Sequence, residues 1–91
     1  MAEVIVTLKI MPESPDIDLK CIEIDAKKLI AAFGGDVGKV EIKPVAFGIN
    51  SLNLIFVMDE NKGGTESLEK QVQLIEGVNS VDVIDVRRTV G

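Results

Sequence analysis

The sequence predicts an α+β fold, a four-stranded antiparallel sheet with two helices packed on one of its faces. Three observations predict it. Four segments alternate apolar and polar side chains with a period of two, as half-buried strands do. Two further segments repeat apolar side chains at helical spacing. Turn residues set these six in the order β-α-β-β-α-β, whose usual closed form is the ferredoxin-like sandwich. Right-handed crossovers then place both helices on the same side of the sheet. The 91 residues leave room for one domain, expected to span 1–91, with one modest core.

In the first strand Val4, Val6, Leu8 and Ile10 alternate with Ile5, Thr7 and Lys9, and Met11-Pro12 ends it. Asp16 and Asp18 suit the start of a helix, where the peptide dipoles favour carboxylates. Leu19, Ile22, Ala26, Leu29, Ile30 and Phe33 form its buried face, and Lys27 and Lys28 are expected to complement its C-terminal end. Gly34-Gly35 stops it. Val40 and Ile42 mark a second strand, which Pro44 assigns to an edge or ends, since proline cannot donate to a ladder. Residues 46–50 read as a hairpin connection. In the third strand Leu52, Leu54, Phe56 and Met58 point one way and Asn53, Ile55 and Val57 the other. Gly64 or Thr65 caps a second helix with Leu68, Val72 and Ile75 as its inward stripe and Gly77 at its end. Val78 to Val86 is the fourth strand. Its alternation changes phase between Val83 and Ile84, which predicts a bulge.

Composition removes several function classes. Lys and Arg number 10 and Asp and Glu 15, a net charge of −5, which disfavours partners held mainly through phosphate charge, both nucleic acid and anionic membrane surfaces. Histidine is absent, which excludes His-based triads and His-ligated metals. The single cysteine, Cys21, excludes an internal disulfide and any Cys cluster. No leader and no membrane-length apolar run is visible, so the expected address is the cytoplasm. No cofactor is expected.

The chemistry-bearing groups are sparse. Asp16 with Asp18, Asp59 with Glu60, and Asp82 with Asp85 read as solvated turns, caps and strand ends, because no apolar run surrounds them. No serine has a recognisable base partner. Gly34-Gly35-Asp36-Val37-Gly38 and Gly63-Gly64-Thr65 lack the lysine and spacing of a phosphate loop or a dinucleotide fingerprint. The helix-free face of the sheet, with Ile5, Thr7, Lys9, Glu41, Lys43, Asn53, Ile55 and Val57, offers no ring for base stacking.

Three features remain. Phe47 lies in the hairpin connection between Pro44 and Gly48, where it either folds back over the core edge or anchors a protein partner. Arg87-Arg88-Thr89-Val90-Gly91 closes an acidic chain with adjacent cations; it is a solvated tail unless one of them is used, and strand geometry lets only one arginine occupy a given face. Ile17, Cys21 and Ile24 fall at i, i+4 and i+7, opposite the core stripe of the first helix. They form either a weak self-association strip or a surface covered by the 11–16 loop.

Four segments in order carry a family resemblance over essentially the whole chain: Met11-Pro12-Glu13-Ser14-Pro15-Asp16, Pro44-Val45-Ala46-Phe47-Gly48, Gly63-Gly64-Thr65-Glu66 and Asp85-Val86-Arg87-Arg88. The chain resembles the archaeal translation elongation factor 1-beta family. The resemblance implies a ferredoxin-like fold and guanine-nucleotide exchange on elongation factor 1-alpha, which promotes GDP release and GTP reloading during protein synthesis. It implies no bond-making catalysis, hence no enzyme, and no direct contact with nucleic acid. It further implies partner contacts at Phe47, Gly48 and Ile49 in the turn and at Arg87 and Arg88. Eukaryotic relatives place a penultimate lysine near the partner's Mg²⁺ and phosphates. Arg88 matches that position, followed by three more residues, so the chain departs in residue type and tail length. Two other readings stay open on the same topology. One is a regulatory domain binding a small metabolite at a dimer edge through the Pro12–Asp16 loop. The other is a passive scaffold subunit.

Overall fold

The computed structural model describes residues 3–46, 48–62 and 64–88. Its elements are β1 (Glu3–Pro12), α1 (Leu19–Phe33), β2 (Asp36–Ala46), β3 (Ile49–Asp59), a 3-10 turn (Glu60–Lys62), α2 (Glu66–Gln73) and β4 (Val78–Arg88). The strands form one antiparallel sheet in the order β2-β3-β1-β4. This is the ferredoxin-like arrangement that the element order predicts.

The core is the helix-facing half of each alternating strand. Val6, Leu8 and Ile10 of β1 stand opposite Phe56, Leu54 and Leu52 of β3, all buried. Ile22, Ala26 and Ile30 of α1 and Leu68 and Val72 of α2 close over them. Leu19, Leu29, Phe33 and Ile75 pack at the margin, half-buried. Fully burying a side chain of this size stabilises by about 1.5–3 kcal/mol before entropy is counted, so this two-strand seam dominates the fold.

The turn chemistry sets the ends of α1. Asp18 is the N-cap, its Oδ1 accepting from the Lys20 amide at 2.9 Å. At the other end Gly34 takes the left-handed conformation, φ 106°, and its N–H reaches the carbonyls of Ile30 and Ala31. Lys27 and Lys28 do not complement this end: the last turn carries no basic side chain, and Lys27 instead pairs with Glu23, one turn earlier, at 3.0 Å. Thr65 is the N-cap of α2 by position, but its hydroxyl donates to Glu69 Oε2 at 3.0 Å rather than accepting from a backbone amide. The helix ends at Gln73, short of Gly77.

Strand β2 is an edge, as Pro44 requires, and it is longer than the alternation of Val40 and Ile42 shows. Asp36 and Val37 already pair with Val57 and Phe56; Gly38 and Val45 are extra residues that the ladder skips. The phase change in β4 is a bulge. Thr7 pairs with Asp85 and Leu8 with Val83, leaving Ile84 unpaired and 53% exposed.

Two departures come from packing. Ser51 and Asn53 lie on the helix-free face yet are buried. Asn53 stands in a row with Glu41 and Lys9, whose longer side chains flank it on the neighbouring strands, and the Ser51 hydroxyl reaches the Lys43 carbonyl (3.3 Å) and Asn53 Oδ1 (3.4 Å). Ile17 does not join an apolar strip with Cys21 and Ile24. The helix starts only at Leu19, so the i, i+4 spacing does not apply to residue 17, and Ile17 packs inward against the core and Gly77. Cys21 and Ile24 are exposed.

Gly35 joins α1 to the sheet: a Cβ there would lie 2.8 Å from Ile30 Cγ2 and 2.9 Å from Phe56 Cδ2, both on buried side chains. Gly35→Ala should therefore destabilise by about 1–3 kcal/mol through overpacking. A lowered urea midpoint at constant slope would show it; an unchanged midpoint would mean that the helix end can shift freely.

Candidate functional site

The candidate residues form two groups. The first is the β2–β3 hairpin. Ala46 pairs with Ile49, so the connection is residues 47 and 48. Gly48 is exposed at φ 74°, a conformation that favours glycine, and Ile49 is half-buried. Phe47 lies outside the described residues. Just behind the turn, Ile42 and Val45 of β2 are exposed, 54% and 47%. Ile42 pairs with Leu52 and so lies on the helix side of the sheet. Its exposure follows from the edge position of β2, and the bulge at Val45 adds a second apolar group beside the turn.

The second group is the end of β4. Arg88 pairs with Val4 and therefore faces the helix side, whereas Arg87 pairs with Ile5 and faces the helix-free side. Each has a carboxylate partner. Arg87 Nε donates to Asp85 Oδ2 at 2.9 Å. Arg88 donates from Nε at 2.9 Å and from Nη2 at 2.5 Å to the same oxygen, Oε2 of Glu60, in the 3-10 turn that follows β3. Sequence reasoning reads Glu60, with Asp59, as a solvated strand end and misses its partnership with Arg88, since 28 positions separate the two and only the strand register joins them.

The structure does not bring the two groups together. Arg88 stands across Val4 from Met58, near the end of β3, while Ile49 begins that strand. Nine residues of strand at about 3.3 Å each separate the two ends by about 30 Å. The long axis of the molecule is 42 Å.

Beside the start of α1 is a groove of about 220 Å³ lined by Pro12, Ser14, Pro15, Ile17, Asp18, Leu19, Lys20 and Asn50. None of its polar residues is buried, and the Asp18 carboxylate is already engaged as the helix cap. It lacks the placed polar anchors by which small-molecule sites orient a ligand. Among the described residues no group of three Cys, Asp or Glu side chains is placed to hold a metal ion, and no helix is long and apolar enough to cross a membrane.

Residues 5–89 match the model of the EF-1 guanine nucleotide exchange domain. The chain belongs to the elongation factor 1-beta family. It is 44% identical to elongation factor 1-beta of Methanobrevibacter smithii over 97% of this chain and 98% of that protein. It is 41% identical to that of Methanothermobacter thermautotrophicus with the same coverage. Among solved structures, the ACT domain from the GTP pyrophosphokinase of Chlorobium tepidum superposes with a TM-score of 0.61 at 17% identity, covering 90% of this chain and 99% of that one. At that identity the likeness shows the fold alone. As a member of the elongation factor 1-beta family, the chain is a translation factor whose activity is guanine-nucleotide exchange for elongation factor 1-alpha.

Exchange asks for no nucleophile, and the thiol of this family member is not set up as one. Cys21 Sγ donates to Asp18 Oδ2 at 3.6 Å. The Asp18 carboxylate beside it raises the thiol pKa above its ordinary value, by charge first and by accepting the S–H second. The thiolate fraction at neutral pH is correspondingly reduced. The pH profile of Cys21 alkylation should therefore be displaced upward from that of the urea-unfolded chain. Asp18→Asn, which keeps a good cap, should move it back down. Superimposable profiles for the variant and the parent would refute the assignment to Asp18.

Proposed function

We propose that the chain releases GDP from elongation factor 1-alpha through two separated contacts. Phe47, Gly48 and Ile49 at the hairpin anchor the domain, and Arg88 acts on the phosphate and Mg²⁺ end of the nucleotide bound by the partner, with Arg87 beside it on the opposite face. The observation that carries this reading is the end of β4, where a guanidinium 72% exposed is fixed on a sheet strand about 30 Å from the hairpin. A partner touching both groups must extend along the whole sheet.

The thermodynamics suits a small protein without acid–base machinery. GDP, Mg²⁺ and the GTPase loops that hold them stabilise one another. A partner that binds better once those contacts are broken weakens GDP binding by the same factor. No covalent bond forms or breaks, so on this reading the protein is not an enzyme and needs no cofactor of its own. Its place of action is the cytoplasm, with the translation apparatus. The apolar side chains beside the turn, Ile42 and Val45, support the anchor assignment, since such contacts bind without discriminating charge.

The test is release of a fluorescent GDP analogue from elongation factor 1-alpha in the presence of catalytic amounts of the chain. Arg88→Ala should lower the maximal release rate at least about tenfold, the value of one charge-assisted contact. Phe47→Ala should raise the half-saturating concentration about tenfold or more, as expected for an aromatic anchor. Both variants should keep the parent's unfolding midpoint to within about 0.5 kcal/mol of stability. Parent kinetics in both variants would remove the site assignment and leave the family's activity to other residues.

A further inference from the structure

We propose that Glu60 is a positioning residue for exchange, one that holds Arg88 with three of its five donors free for the partner's phosphate. The inference rests on the reading of Arg88 given above. A guanidinium has five N–H donors in a rigid plane. Two of them, on Nε and Nη2, point to the same oxygen of Glu60. That side-on engagement leaves the second Nη2 hydrogen and both hydrogens of Nη1, the end-on fork that matches two phosphate oxygens.

The two partners are unequal in a way that fits this role. The Glu60 side chain is 30% exposed and that of Arg88 is 72% exposed, so the carboxylate is the more enclosed member and the guanidinium the accessible one. Glu60 opens the 3-10 turn directly after β3, a central strand, and the Asn61 amide donates to Asp59 Oδ1 at 2.9 Å within that turn. Arg88 is on an edge strand, at the end of β4. Without Glu60 its long side chain would have to be ordered at the moment of contact, an entropic cost that pre-organisation removes. Stability offers a weaker reason for the pair, because an exposed ion pair contributes little to folding. Arg87, held by Asp85 on the other face, cannot take over this position.

The experiment is the same GDP-release assay, run across concentrations of the full chain for Glu60→Ala, Arg88→Ala and the double variant. Glu60→Ala should lower the maximal rate about three- to fivefold, the range set by an exposed, well-aligned pair. Its half-saturating concentration should stay within about twofold of the parent's, because ordering of one side chain acts after docking. The double variant should be no slower than Arg88→Ala alone. A parent-like or faster maximal rate in Glu60→Ala would overturn the positioning role, as would a change confined to the half-saturating concentration. Slowing that multiplies in the double variant would also overturn it. Arg88→Ala at the parent rate would instead overturn the reading of Arg88 itself, so the two failures are distinguishable. Urea unfolding of all three variants separates these outcomes from loss of fold.

Discussion

Strand β4 carries two residues that its neighbour β1 does not pair, Asn79 and Ile84, and the second sets the direction of every side chain after it. Val81 faces the helices opposite Ile10, and Val83 does so opposite Leu8. Had the alternation continued, Asp85 and Arg87 would follow them and Arg88 would face the other way. The skipped Ile84 reverses this: Asp85 pairs with Thr7 on the helix-free face, Val86 returns to the helix side, and Arg88 comes to stand over Val4 within reach of Glu60. An exposed isoleucine, 53% accessible, accompanies the correction. A bulge that re-aims side chains at the end of a strand is a recurrent device near functional sites, and here it decides which of two adjacent arginines meets the carboxylate.

The second determinant is stiffness. The hairpin begins β3, and Glu60 follows its other end. Between them the strand buries Leu52, Leu54, Phe56 and Met58 against both helices, and ladders run along both of its edges. Interiors packed at crystal-like density deform little. The approximately 30 Å between the two candidate regions is thus a fixed length. A load applied at the hairpin is carried to the arginine end through one continuous strand, paired with β2 or β1 along its whole length, rather than through a loop.

The fold was legible because its signals are periodic. Alternation in β1 and β3 marks the buried face, the broken phase in β4 marks the bulge, and Pro44 marks an edge. Where sequence reading missed, the cause was a neighbour supplied by another element. Asn53 looks like a surface polar residue until strands on both sides flank it, and Ser51 until β2 pairs with it. Ile17 keeps helical spacing to Cys21 without being in the helix. Lys27 finds Glu23 rather than the helix end. The candidate site was legible only in part. The turn and the arginines stood out through the family resemblance, whereas their separation and the Glu60 partnership exist only once the register of β4 on β1 is known.

The separation bears on how exchange divides its work. A contact made equally well in the nucleotide-bound and nucleotide-free states of the partner raises affinity for both and shifts nothing between them. On the proposed reading, an anchor about 30 Å from the arginine is suited to that uniform role: it fixes the domain without needing to sense the nucleotide. The difference in free energy must then come from the end that approaches the phosphate region. To weaken GDP binding a thousandfold, that end must bind the emptied state better by about 4 kcal/mol. One exposed arginine reaching into water would supply little of it. A guanidinium already ordered by Glu60, entering a site from which water is displaced, can supply more, because charge-assisted bonds strengthen as the surroundings lose polarity. On this view the anchor and the rigid strand hold the domain in place, and the positioned fork supplies the difference in free energy that releases the nucleotide.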